Sequence, residues 1–157
     1  MKPLFDGMAQ SQRSMTAGPR NTAVIRTGRL LEIRAEAGYR TAEDVNRIFE
    51  EISRETAKLD ASTRSVVIVD WRKCPVMSPD AVTRMAEGIG QVNARTERSA
   101  TLAASDSPTA VLQFVRLIRD SGHPDRKLFF ERPALVEWLA EVLTPVELER
   151  LNAFLDE

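Results

Sequence analysis

The sequence predicts an α/β domain: a mixed β-sheet with an N-terminal β-hairpin, β/α repeats after it, and helices packed on the sheet. Three observations predict it. Ser65-Val66-Val67-Ile68-Val69-Asp70 sets four β-branched apolar residues in a row without alternation, the pattern of a strand covered on both faces and therefore central and parallel. Ser78-Pro79-Asp80 then reads as an N-cap followed by the first helical residue, and the same handover recurs at Ser107-Pro108. Upstream, Ala23–Arg26 and Arg29–Ala35 flank Thr27-Gly28, a two-residue hairpin signal.

Taken in order, residues 1–21 are polar, small and without period, a flexible tail apart from the apolar Leu4, Phe5 and Met8. Residues 22–157 form a single domain. In the second hairpin strand Leu31, Ile33 and Ala35 alternate with Glu32, Arg34 and Glu36, so one face should be wet. Thr41 caps a helix whose Val45, Ile48, Phe49, Ile52 and Leu59 make one apolar stripe. The buried strand 66–69 and a linker 71–77 lead to a helix over about 79–94. Val82, Met85, Ala86 and Ile89 form its inner face, and Gly88 and Gly90 point to close packing or a bend. Residues 99–104 are the next strand. Ser107-Pro108 opens a third helix, and Gly122-His123-Pro124 stops it. Lys127–Phe130 is a last short strand, Arg132-Pro133 opens a fourth helix, and Thr144-Pro145-Val146-Glu147 starts an extra C-terminal one with a capping box. The order is β-β-α-β-α-β-α-β-α-α.

Composition narrows the function. Lys and Arg number 22 against 23 Asp and Glu, and this even balance argues against a dedicated nucleic-acid binder. Cys74 stands alone, so neither an internal disulfide nor a cysteine metal cage is expected. No stretch is apolar enough for a membrane span, and the first residues lack the apolar core of a signal peptide. The expectation is a cytoplasmic chain without cofactor or metal.

The succession across about residues 22–143 resembles the STAS and STAS-like proteins, the fold of the bacterial anti-sigma-factor antagonists. The stretch Arg126-Lys127-Leu128-Phe129-Phe130-Glu131-Arg132-Pro133-Ala134-Leu135-Val136-Glu137-Trp138-Leu139 is similar to the last strand and helix of their SpoIIAA-like branch. The resemblance implies a binding module in bacterial signalling, without enzymatic turnover. Classical antagonists carry a phosphorylatable Ser within an Asp-Ser-x-Gly pattern; here Met77-Ser78-Pro79-Asp80 has no Gly in the matching place. For the SpoIIAA-like branch the resemblance implies no settled activity; an apolar small ligand or lipid is a recurrent suggestion there.

Candidate residues follow. Ser78 is an N-cap by residue type and a phosphoacceptor by position, where a dianion would meet the positive end of a helix; Asp80 already occupies that field. Trp71 and Met77, placed in a linker, together with Ser78 and Asp80 are the expected protein-partner surface. Asp70, Asp106 and Ser107 lie past the ends of two parallel strands, the edge where α/β sheets collect anions and ligands. Two carboxylates there could hold Mg²⁺ or do acid–base work, against the commoner solvated turn or cap. His123 in Gly-His-Pro reads as an exposed turn residue, and Cys74 as a buried or incidental thiol. Leu112, Phe114, Val115, Leu117 and Ile118 make the third helix apolar over much of its circumference, so it is fully buried or faces a cavity, a partner or a second copy. The expected function is a non-enzymatic regulatory protein-binding module; the alternative is a carrier or sensor of an apolar small molecule or lipid.

Overall fold

A computed structural model describes residues 18–157, so the Leu4, Phe5 and Met8 cluster and most of the expected tail lie outside the described residues. The hairpin turn is offset by one residue from its sequence signal. Strands β1 (Asn21–Thr27) and β2 (Leu30–Ala35) are joined by Gly28-Arg29 rather than by Thr27-Gly28. Gly28 takes a φ of +57°, where a Cβ is disfavoured, and a Cβ there would also run into the Glu147 carboxylate. That carboxylate accepts from the Arg29 N–H at 2.8 Å. It also closes the capping box with Thr144 at the start of the last helix, so one buried acid ties the hairpin to the C-terminus.

The remaining elements are α1 (Ala42–Thr56), β3 (Ser65–Trp71), α2 (Pro79–Val92), a 3-10 turn (Asn93–Arg95), β4 (Thr96–Ala103), α3 (Pro108–Arg119), β5 (Arg126–Phe129), α4 (Arg132–Ala140) and α5 (Pro145–Asp156). The sheet order is sequential, β1 to β5, with the first pair antiparallel and the others parallel. The apolar run thus sits in the middle strand, and every residue of β3 is buried. Helices α1, α2 and α3 pack on one face, as crossovers of one hand between successive neighbours require; α4 and α5 cover the other.

Strand pleating then sorts the side chains into two cores. Leu31, Ile33, Val67, Val69 and Trp71 face α1–α3. Leu30, Val66, Ile68, Ala100 and Leu102 face Leu135 and Leu139 of α4 and Leu151, Phe154 and Leu155 of α5. Because both faces carry helices, the alternation in β2 does not mark a wet face: Glu32 is buried, held by Arg26 at 2.8 Å and Arg150 at 2.8 Å. Thr41, Ser78, Ser107 and Thr144 all cap their helices through the side-chain oxygen. The stripe of α1 holds through Ile52, but the helix stops at Thr56 and Leu59 lies beyond it. Gly88 does mark close packing, since the Phe49 ring occupies the place of its absent Cβ, whereas Gly90 has open space around it. Helix α3 buries Ala110, Phe114 and Leu117 but leaves Leu112 50% and Val115 39% exposed.

Candidate functional site

The carboxyl edge of the sheet is closed where the sequence places a ligand edge. Asp70 is buried on the α5 side, with Arg34 at 2.9 Å and Arg72 at 3.0 Å. The same guanidiniums donate to the carbonyls of Phe154 and Leu155 at 2.8 and 3.0 Å, and Arg34 lies 4.2 Å above the Phe154 ring. Burial pushes the Asp70 carboxyl up, yet the hydrogen bonds and charge of Arg72, with the charge of Arg34, outweigh it and hold it below its ordinary value. Asp70 is therefore an anchor for the last turn of α5. Asp106 is exposed in the loop after β4, no hydrogen bond or ion pair joins it to Asp70, and Ser107 is the cap of α3. A sequential strand order also has no point of reversal, the feature that opens a crevice at that edge in doubly wound sheets.

Trp71 and Met77 are interior residues, 4% and 2% exposed, and do not form a contact surface. The reason is that β3 runs on through Trp71, which packs on Phe114 with ring centroids 4.8 Å apart. Gln113 of α3 pins Met77 by both its N–H and its carbonyl, at 2.8 and 2.9 Å. What the loop exposes is Arg72, Lys73, Pro75 and Val76. Ser78 accepts from the Ala81 N–H at 3.2 Å, and Asp80 is exposed in the first turn of α2. Cys74 is buried, and burial pushes its thiol up to about 12. His123 is half-buried rather than exposed. Its Nδ1 accepts from the Asp125 N–H at 3.0 Å, which leaves Nε2 to donate to the Thr96 carbonyl at 2.7 Å, so both ring nitrogens bridge loop to strand. Among the described residues no three His, Cys, Asp or Glu side chains gather as a metal site, and no helix is long and apolar enough to cross a membrane.

An apolar-walled concavity lies instead inside the α1–α2 face. A partly open cavity of about 350 Å³ separates these helices from the sheet. Its helical wall is Phe49, Ile52, Met85 and Ile89, and its floor includes Ile33, Val67 and Val69. Small polar residues on the same face of the sheet leave the space: Ser65 starts β3, and Ser99 and Thr101 stand where β3 carries Val67 and Val69. Arg126 of β5 is paired with Ser99 in the parallel register and borders the same end, as do Arg95 and Thr96. The cavity thus has an apolar body and a polar end at the amino-terminal edge of the parallel strands, opposite to the edge the sequence indicates.

Its polar atoms are under-used. Among the described residues, four buried side-chain atoms lack a hydrogen-bond partner: Trp71 Nε1, Arg95 Nε, Ser99 Oγ and Arg126 Nε, and all four residues border this cavity. The Trp71 indole N–H lies near the Tyr39 hydroxyl without reaching hydrogen-bond geometry. Arg126 is held by Asn93 Oδ1 at 2.8 Å, and Asn93 in turn by the Ser121 carbonyl at 2.6 Å. Among the described residues no carboxylate pairs with the Arg126 guanidinium, and burial alone lowers it to about 10, still charged at neutral pH. A second, more polar groove beside Gly38 and Pro75 is bordered by charges that largely satisfy one another, Lys73 with Glu36 and Arg47 with Asp44.

No protein-family model, curated protein or solved structure matches this chain.

Proposed function

We propose that this chain is a non-enzymatic module that binds an apolar or amphipathic small molecule between the sheet and helices α1 and α2. The observation that carries this reading is the cavity of about 350 Å³ with apolar walls and unpaired polar atoms at one end. Pockets that hold small ligands start near this size, at roughly 300 Å³. The STAS-like resemblance agrees with binding without turnover.

Native mass spectrometry of gently purified protein tests the reading. A bound small mass is expected in the wild type, and it should be lost in Thr101→Leu, which pushes added carbon into the space. A clean ligand-free mass, together with no uptake of an added medium-chain alcohol, contradicts it.

A second reading, regulation through a protein contact, is favoured by a different observation: Leu112 and Val115 form an exposed apolar stripe one turn long on the outer face of α3. Light scattering of wild type and Leu112→Lys at high concentration tests whether that face pairs two copies. An unchanged monomeric mass in both would set the dimer aside.

A further inference from the structure

The polar end of the cavity has a definite chemical sense, and reading it rests on the small-molecule function proposed above. Three of the unpaired buried atoms, Arg95 Nε, Ser99 Oγ and Arg126 Nε, belong to the amino-terminal edge of β4 and β5. Ser99 and Arg126 stand opposite each other on neighbouring strands, which run ~4.8 Å apart; their unpaired atoms are occluded, so a small group entering this end meets both after a side-chain shift. Ser99 is fully buried, with its hydroxyl unpaired. Each guanidinium is tethered by its far edge: Arg126 Nη2 to Asn93, Arg95 Nη2 to the carbonyls of Asp60 and Thr63 at 3.4 and 3.3 Å. Of the remaining donors, the two Nε–H groups are the ones buried without a partner. A guanidinium only donates hydrogen bonds, and no side-chain carboxylate is paired with either one among the described residues. A partner for these atoms is an acceptor, and two unpaired cations at one end of the cavity favour a negative one.

Size and donor count choose among anions. At the ~30 Å³ that a water-sized group occupies in a liquid, the cavity has room for roughly a dozen heavy atoms, most of them beside Phe49, Ile52, Met85 and Ile89. Three free donors suit a carboxylate, with its two oxygens and about four lone-pair sites. A phosphate dianion is ordinarily held by further cations or a backbone cradle of N–H groups, and the cavity lining includes no lysine. We propose that the cavity binds a medium-chain aliphatic carboxylate, its head on Arg126, Arg95 and Ser99 and its chain along the α1–α2 wall. The buried hydroxyl and guanidinium atoms that find no partner within the protein find it in the ligand.

Isothermal titration of delipidated full-length protein with decanoate and with decanol, one chain with two heads, separates this proposal from the reading beneath it. Decanoate should bind at least ten-fold more tightly than decanol. In Arg126→Met that ratio should fall to near one while decanol affinity stays put, which also shows that the variant is folded. Should Arg126→Met fail to fold, Ser99→Ala serves in its place, with a several-fold loss for decanoate only. Decanol binding as tightly as decanoate overturns the carboxylate proposal and leaves the cavity reading standing. Binding of neither overturns both.

Discussion

Ser99→Ala should make the ligand-free protein more stable, the reverse of what most core substitutions do. Ser99 is fully buried in β4 and its hydroxyl has no partner. An unpaired buried hydroxyl costs about 1–3 kcal/mol relative to water. The substitution removes one oxygen and keeps Cβ, so the enlargement of the existing cavity is small. Subtracting the lost packing of a single atom leaves a net gain of about 1–2 kcal/mol. For a domain of this length that corresponds to a rise in Tm of about 3–6 °C. Urea unfolding and thermal melts of delipidated wild type and variant measure it. Adding decanoate should reverse the order, because the hydroxyl then has its acceptor. A loss of 1 kcal/mol or more in the ligand-free state would refute the reasoning: the hydroxyl would have a structural partner, and its isolation would carry no functional meaning.

Other outcomes follow from the contacts. Asp70→Asn leaves Arg34 and Arg72 facing each other without their anion; it should cost about 2–4 kcal/mol, just below the range for fully buried pairs because Arg72 is partly in water, and hydrogen exchange should quicken first in α5. The same carboxyl is held below its ordinary value, so its stabilisation is complete above ~3.9, the ordinary Asp value, and lost as pH falls through the lower folded value. Amide protection in α5, with the intrinsic pH dependence of exchange divided out, should therefore stay flat from pH 6 downward until it passes below that point. Cys74, buried with its thiol raised to about 12, should resist a thiol reagent at pH 8 and react when urea unfolds the chain. Gly88→Val should displace Phe49 and destabilise by about 1–3 kcal/mol through overpacking, read from the shift in the urea midpoint at unchanged slope.

Element identity was legible because local signals agreed with one another. The Val66–Val69 run could only be a strand covered twice, and the Ser/Thr caps each stand directly before a helix. Ends were less legible, since pairing with neighbours decides them. β3 extends through Trp71 because β4 continues beside it to Ala103, and this drew a residue expected in a linker into the core. The carboxyl edge misled for a topological reason: which helices share a face depends on strand order, and order is a tertiary property. Asp70 also looked like a free acid because Arg34, 36 positions away, and the C-terminal carbonyls cannot be placed beside it from sequence. The cavity did leave a trace. Ser99-Ala100-Thr101-Leu102-Ala103 alternates small polar with apolar residues on a strand that the fold class covers on both sides. Polar residues on a doubly covered strand are the sign of a chamber. Arg126 gave no such warning, because nothing in Asp125-Arg126-Lys127 tells which of the three turns inward.

Intermolecular nuclear Overhauser contacts between a bound decanoate chain and methyl-labelled protein test the central claim most directly. Contacts from the chain to Ile52, Met85 and Ile89, with the carboxyl end nearest the Arg126 side chain, are the predicted result. Contacts confined to Leu112 and Val115 on the outer face of α3, or methyl signals of the α1–α2 wall that do not move at saturating ligand, would contradict it.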